Sequence, residues 1–137
     1  MQAASQLAKA VRRLTMEKEM QELTAKYKED VRNIEQELSD LTKQKRLLDE
    51  KKSQVFEYKK RVTKFFNESI DSLRKYNAAS QIQKYENISG ETKHKLNRLE
   101  QGIEAEQHDI EKRRKKALLS KEETDHHYRQ TLRAKRG

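Results

Sequence analysis

The chain has 137 residues, 32% of them apolar and 40% charged, with a formal net charge of +9. So few apolar residues exclude a large globular core, and the length is that of one domain. The absence of cysteine excludes a disulfide framework and a thiolate metal site, and the absence of proline favours long unbroken helices over a disordered linker.

No stretch approaches the roughly 20 apolar residues that cross a bilayer, and the segment from Met1 to Leu14 lacks the apolar core of a secretory signal. The expected location is cytoplasmic. The positive balance admits nucleic acid, an anionic membrane surface or an acidic protein as partner.

Residues 1–30 read as an N-terminal helical extension with two short stripes. Leu7, Val11 and Leu14 share one; Met16, Met20, Leu23 and Tyr27 share the other. A four-residue step from Tyr27 to Val31 follows another four-residue step, a stutter in the pattern. It marks either a change of supercoil or packing partner, or an imperfect helix start.

Residues 31–76 form the main coiled-coil helix. Val31, Ile34, Leu38, Leu41, Lys45, Leu48, Lys52, Val55, Lys59, Val62, Phe66, Ser69, Leu73 and Tyr76 keep an unbroken 3-4 spacing. A stripe this narrow and long is a coiled-coil seam, and at 1.5 Å per residue it spans roughly 70 Å. Lys45, Lys52 and Lys59 take three successive a positions. They either limit alternative registers at a cost in stability, or roll so that their stems snorkel to solvent, and the second reading is preferred. Phe56, Phe65 and Phe66 thicken the stripe at its C-terminal end, as a bundle core or an interface anchor.

The seam decays over residues 77–92, where Asn87-Ile88-Ser89-Gly90 collects turn-forming residues. The spacing therefore predicts a turn region at 77–92, with the reversal between Asn77 and Gly90. Residues 93–137 form the return helix, opened by Leu96, Leu99, Ile103 and Ile110, with Glu106 and Arg113 on its stripe. Gly102 costs about 1 kcal/mol there against alanine. The fold class is all-α, a long antiparallel two-helix hairpin completed by partner helices. Folding back sets Phe66 near Ile103 and Leu41 near Tyr128, and leaves about the first thirty residues without an intramolecular partner.

Candidate chemistry is sparse. Glu122–His126 and Glu123–His127 are helical i,i+4 pairs. Adjacent histidines diverge by about 100° on a helix, so they read as surface ion pairs rather than metal ligands. No glycine-rich phosphate loop exists, and long helices do not converge an acid and a base in a water-excluding pocket. The expected protein is not an enzyme and holds no cofactor or metal. From Lys112 to Gly137 there are ten Lys and Arg against three Asp and Glu. The run Lys112–Lys116 is spread around the helix without interleaved aromatic residues, which favours a solvated face or an acidic protein surface over nucleic acid.

The pattern Leu96-x-x-Leu99-Glu100, an acidic helix to Glu111, Lys112-Arg113-Arg114, Leu118-Leu119, Lys121-Glu122-Glu123, Tyr128 and Arg129, with Phe65-Phe66 upstream, resembles a known family. It is similar to the helical accessory proteins encoded beside LXG toxins of the type VIIb secretion system, over roughly residues 52–133. The resemblance implies a targeting factor, or chaperone, that binds the toxin's N-terminal helices together with a small WXG-like accessory protein. No export-signal residue is transferred, because there is no WXG turn and Asp71 lies one position too far from Phe66 for the FxxxD motif. A rival resemblance is to the FliJ/YscO-type stalks of type III export, which implies contact with an export ATPase. A basic nucleic-acid-binding coiled coil is the third reading. Val55, Phe56, Val62, Phe65 and Phe66 are the expected partner-binding anchors, and Met16, Met20, Leu23 and Tyr27 a second, more adaptable contact.

Overall fold

A single asparagine makes the reversal. The computed structural model describes residues 2–136 and contains two helices, α1 (Gln2–Arg74) and α2 (Ala79–Arg136). They pack as an antiparallel helical hairpin. At the end of α1, Asn77 adopts φ 52°. The Asn77 amide donates to the Arg74 carbonyl at 3.3 Å, and the Ala78 amide donates to the Leu73 carbonyl at 3.4 Å. Those two bonds form a Schellman motif, in which a left-handed residue lets the last carbonyls of a helix find donors. Asparagine enters that conformation more cheaply than any branched residue. Ala78 then accepts the first bond of α2 from Ile82, at 2.9 Å.

The predicted turn region at 77–92 is thus corrected: α2 begins at Ala79, and residues 79–92 are helical. The Asn-Ile-Ser-Gly cluster looks like a turn by composition only. Ile82, Tyr85 and Ser89 continue the covered face of α2, and Ser89 is buried because a small side chain is what faces the neighbouring helix there. Gly90 has no positive φ, and a Cβ built on it would meet nothing within 4 Å. It simply weakens the helix.

Moving the turn moves the register. Phe66 meets Tyr85 instead of Ile103, and Tyr128 meets Tyr27, fourteen residues earlier in α1 than Leu41. Fourteen residues are about four helical turns. The first thirty residues therefore do not lack an intramolecular partner as a block. Met20, Leu23, Thr24 and Tyr27 are half-buried, whereas residues 2–19 are exposed.

The chain divides into two compact units. The first comprises Met1–Leu41 with Lys112–Gly137, the second Thr42–Glu111. In the first, Leu41 and Ala117 are buried. Lys121–Glu35 and Lys135–Glu19 bridge its two segments, each at 3.4 Å. In the second, the apolar core is Leu48, Phe66, Leu96, Ile103 and Ile110. Along the return helix Leu96, Ile103 and Ile110 are buried as expected, and only the alternate seam positions fall one residue later. Glu100, Gln107 and Arg114 are the half-buried polar members of that seam, while Glu106 and Arg113 are exposed. Leu99, expected on the seam, is half exposed.

Candidate partner-binding surface

The nine residues expected to bind a partner fall into three environments. Phe66 is 7% exposed and belongs to the core, with its ring edge-on to Phe65 at 5.5 Å and to Tyr85 at 6.5 Å. Of its two expected roles, bundle core or interface anchor, its burial matches the core. Val55 and Val62 are half-buried along the seam. Phe56, Phe65 and Met16 are exposed.

Met20, Leu23 and Tyr27 are engaged within the first unit. The Tyr27 and Tyr128 rings stack at 4.0 Å with an interplanar angle of 9°. The Tyr27 hydroxyl donates to Asp125, and the hydroxyls of Thr24 and Tyr128 are hydrogen-bonded at 3.1 Å. This cluster fixes the pairing of the two segments, because stacked rings with bonded hydroxyls fit only one register. The hydrogen bond to Asp125 raises the Tyr27 pKa above its ordinary 10.0, with burial and the Asp125 charge acting in the same direction. A raised tyrosine pKa contributes stability that is present below pH 10 and is lost as pH rises through the folded-state value. Tyr27→Phe is therefore expected to be less stable than the parent at neutral pH, and to show a shallower further loss above pH 10. Chemical denaturation at a series of alkaline pH values checks both, and equal slopes would remove the cluster's role.

The two flanks of the seam in the second unit differ in character. One carries the polar ties between helices. Lys59 Nζ donates to Asn97 at 2.6 Å and lies 3.5 Å from Glu100. Lys52 lies 3.6 Å from Glu104, and Gln107 donates to Asp49 at 2.8 Å. Phe56 lies on this flank, beside Lys52, Glu100 and Gln107. Its ring already faces the Lys60 ammonium, 4.4 Å from the centroid.

The other flank exposes large apolar side chains among charged ones. Lys51, Val55, Leu99 and Gly102 line one open groove there. Tyr58 and Phe65 follow Lys51 at seven and fourteen residues, so they share its side of α1; Leu47, one turn before it, does too. Ile88 precedes Leu99 by eleven residues, three turns of α2. Leu47, Tyr58, Phe65, Ile88 and Leu99 are all about half exposed. Leu47, Tyr58, Ile88 and Leu99 were not among the expected anchors. The signal for Tyr58 was present in the sequence, since it lies one heptad before the expected anchor Phe65, beside the seam.

Among the described residues no group of His, Cys, Asp and Glu is arranged to hold a metal ion, and no helix is long and apolar enough to cross a membrane. His126 and His127 are exposed. In the Lys112–Lys116 run, Arg114 is half-buried and the other four are exposed around the helix. Comparison of the chain with protein families, with curated proteins and with solved structures finds no match.

Proposed function

We propose that this protein is a non-enzymatic targeting factor that binds the helical N-terminal domain of a secreted LXG toxin, together with a small WXG-like accessory protein, for export by a type VIIb system. The observation that carries the helix-binding part is the apolar flank of the second unit. Large side chains stand half exposed beside a core of only a few buried residues. A two-helix hairpin with a thin seam is usually completed by further helices, and a contiguous exposed apolar strip marks an interaction surface. The resemblance of residues 52–133 to LXG accessory proteins supplies the identity of the partner.

Affinity purification of the full chain from its native cell, followed by mass spectrometry and reconstitution from purified components, tests the reading. The expected result is a stoichiometric complex with an LXG protein. Recovery of an export ATPase instead would replace this function with that of a type III stalk. A chain that retains DNA or RNA through physiological salt, in place of any helical protein, would make it a nucleic-acid-binding coiled coil.

A further inference from the structure

We propose that the Tyr58–Phe65 flank of the second unit docks an amphipathic helix whose apolar stripe is bordered by carboxylates. The assignment rests on the helix-binding reading above and names the face and the partner's chemistry. The register set by Lys59–Asn97 and Phe66–Tyr85 places Tyr58 within about one residue of Leu99, and Phe65 within about two of Ile88. Each pair is one apolar rung reaching across both helices. The two pairs are seven residues apart on α1, about 10.5 Å, and eleven apart on α2, about 16.5 Å. Those are spacings of two and three turns, so a third helix lying along the groove meets both pairs with side chains at i, i+3 or i+4, i+7 and i+11. Gly102 adds no side chain to the groove, and a Cβ there would meet nothing within 4 Å. The space beside Leu99 is therefore open to a knob from the incoming helix.

Charge selects among helices. Lys51 and Arg98 line this groove, Lys95 lies one turn before Leu99, and Arg61 one turn before Phe65. Among the described residues no ion pair joins any of these four to a carboxylate. Two acids, Glu91 and Glu106, share the α2 side of the face. The cations outnumber them, and Lys95 and Arg98 lie between them in sequence. On the opposite flank the comparable charges already pair between the helices, as Lys59–Glu100 and Lys52–Glu104. Cations without an ion pair thus border the exposed apolar residues of this flank. Carboxylates along the edges of an incoming helix satisfy them, whereas a basic helix is repelled.

The test uses the full chain and two labelled peptides of about 18 residues with the same leucine stripe, one flanked by Glu and one by Lys. Binding is followed by fluorescence anisotropy at low ionic strength. The Glu-flanked peptide is expected to bind at least about tenfold tighter than the Lys-flanked one, with the preference shrinking as salt is added. Tyr58→Glu with Phe65→Glu should abolish binding while circular dichroism and the thermal transition stay those of the parent. Phe56→Glu, on the opposite flank, should leave binding unchanged, and Lys95→Glu with Arg98→Glu should reverse the peptide preference. Equal binding of both peptides, or loss on Phe56→Glu in place of the Tyr58/Phe65 pair, overturns the assignment. A parent chain that sediments as a dimer and becomes monomeric on Phe65→Glu also overturns it, by making a second copy the occupant. An LXG domain that binds the parent and the Tyr58/Phe65 variant alike overturns this face and leaves the proposed function standing. Selective peptide binding with no LXG complex sustains the face and removes the proposed function.

Discussion

Phe66→Ala is expected to lower the unfolding free energy by about 3 kcal/mol, the lower end of the range for truncating a buried phenylalanine. The ring is 7% exposed and packs edge-on against both Phe65 and Tyr85. The lower end applies because a two-helix core has few layers and collapses readily around a lost side chain. Phe65→Ala is the internal control. Its ring is 58% exposed, so truncation should cost less than about 1 kcal/mol. Urea denaturation followed by helical circular dichroism measures both. A Phe66 effect no larger than that of Phe65 would mean that the second unit is not held by this layer. The comparison also matters for function, since a charge at Phe66 would unfold the unit before it revealed anything about a partner.

The sequence signal was strongest where apolar residues recur without interruption, and there the fold followed from it. From Val31 to Leu73 the predicted seam is covered at every position except Lys45 and Lys52, which are exposed, because Leu41, Leu48, Val55, Val62 and Phe66 leave no competing phase. The return helix was harder to phase for a physical reason. Its covered face alternates apolar and polar residues, with Glu100, Gln107 and Arg114 set between Ile103, Ile110 and Ala117. A search for apolar spacing therefore drew in Leu99 and placed Glu106 and Arg113 on the stripe. The reversal at Asn77 lies at the near end of the expected interval 77–90, and the turn region was drawn too long because composition does not show which asparagine enters the left-handed region. That single displacement carried into the register, and so into the site. Met20, Leu23 and Tyr27 looked free only because the return helix was paired about four turns out of place.

Replacing the Lys59–Glu100 layer by leucine on both helices is expected to raise stability by about 2 kcal/mol while weakening the uniqueness of the pairing. Both side chains are partly covered, Lys59 at 33% and Glu100 at 23% exposure, with 3.5 Å between them. An ion pair this accessible gains little, because water screens it and two long side chains are immobilised. Two leucines at the same positions gain roughly 1.5–3 kcal/mol each when fully buried, and less at this degree of exposure. The lost bond from Lys59 to Asn97 offsets part of the gain. What the polar layer supplies is selectivity. A lysine at an a position tolerates one facing arrangement, the one that brings Glu100 and Asn97 to its ammonium. A leucine accepts any apolar neighbour, including one from another chain. The double variant should therefore unfold at higher urea concentration and also show concentration-dependent association in sedimentation velocity, whereas the parent does not associate through this layer. If stability falls instead, the polar layer contributes net binding energy between the helices, and the apolar rungs beside it are not what limits the hairpin.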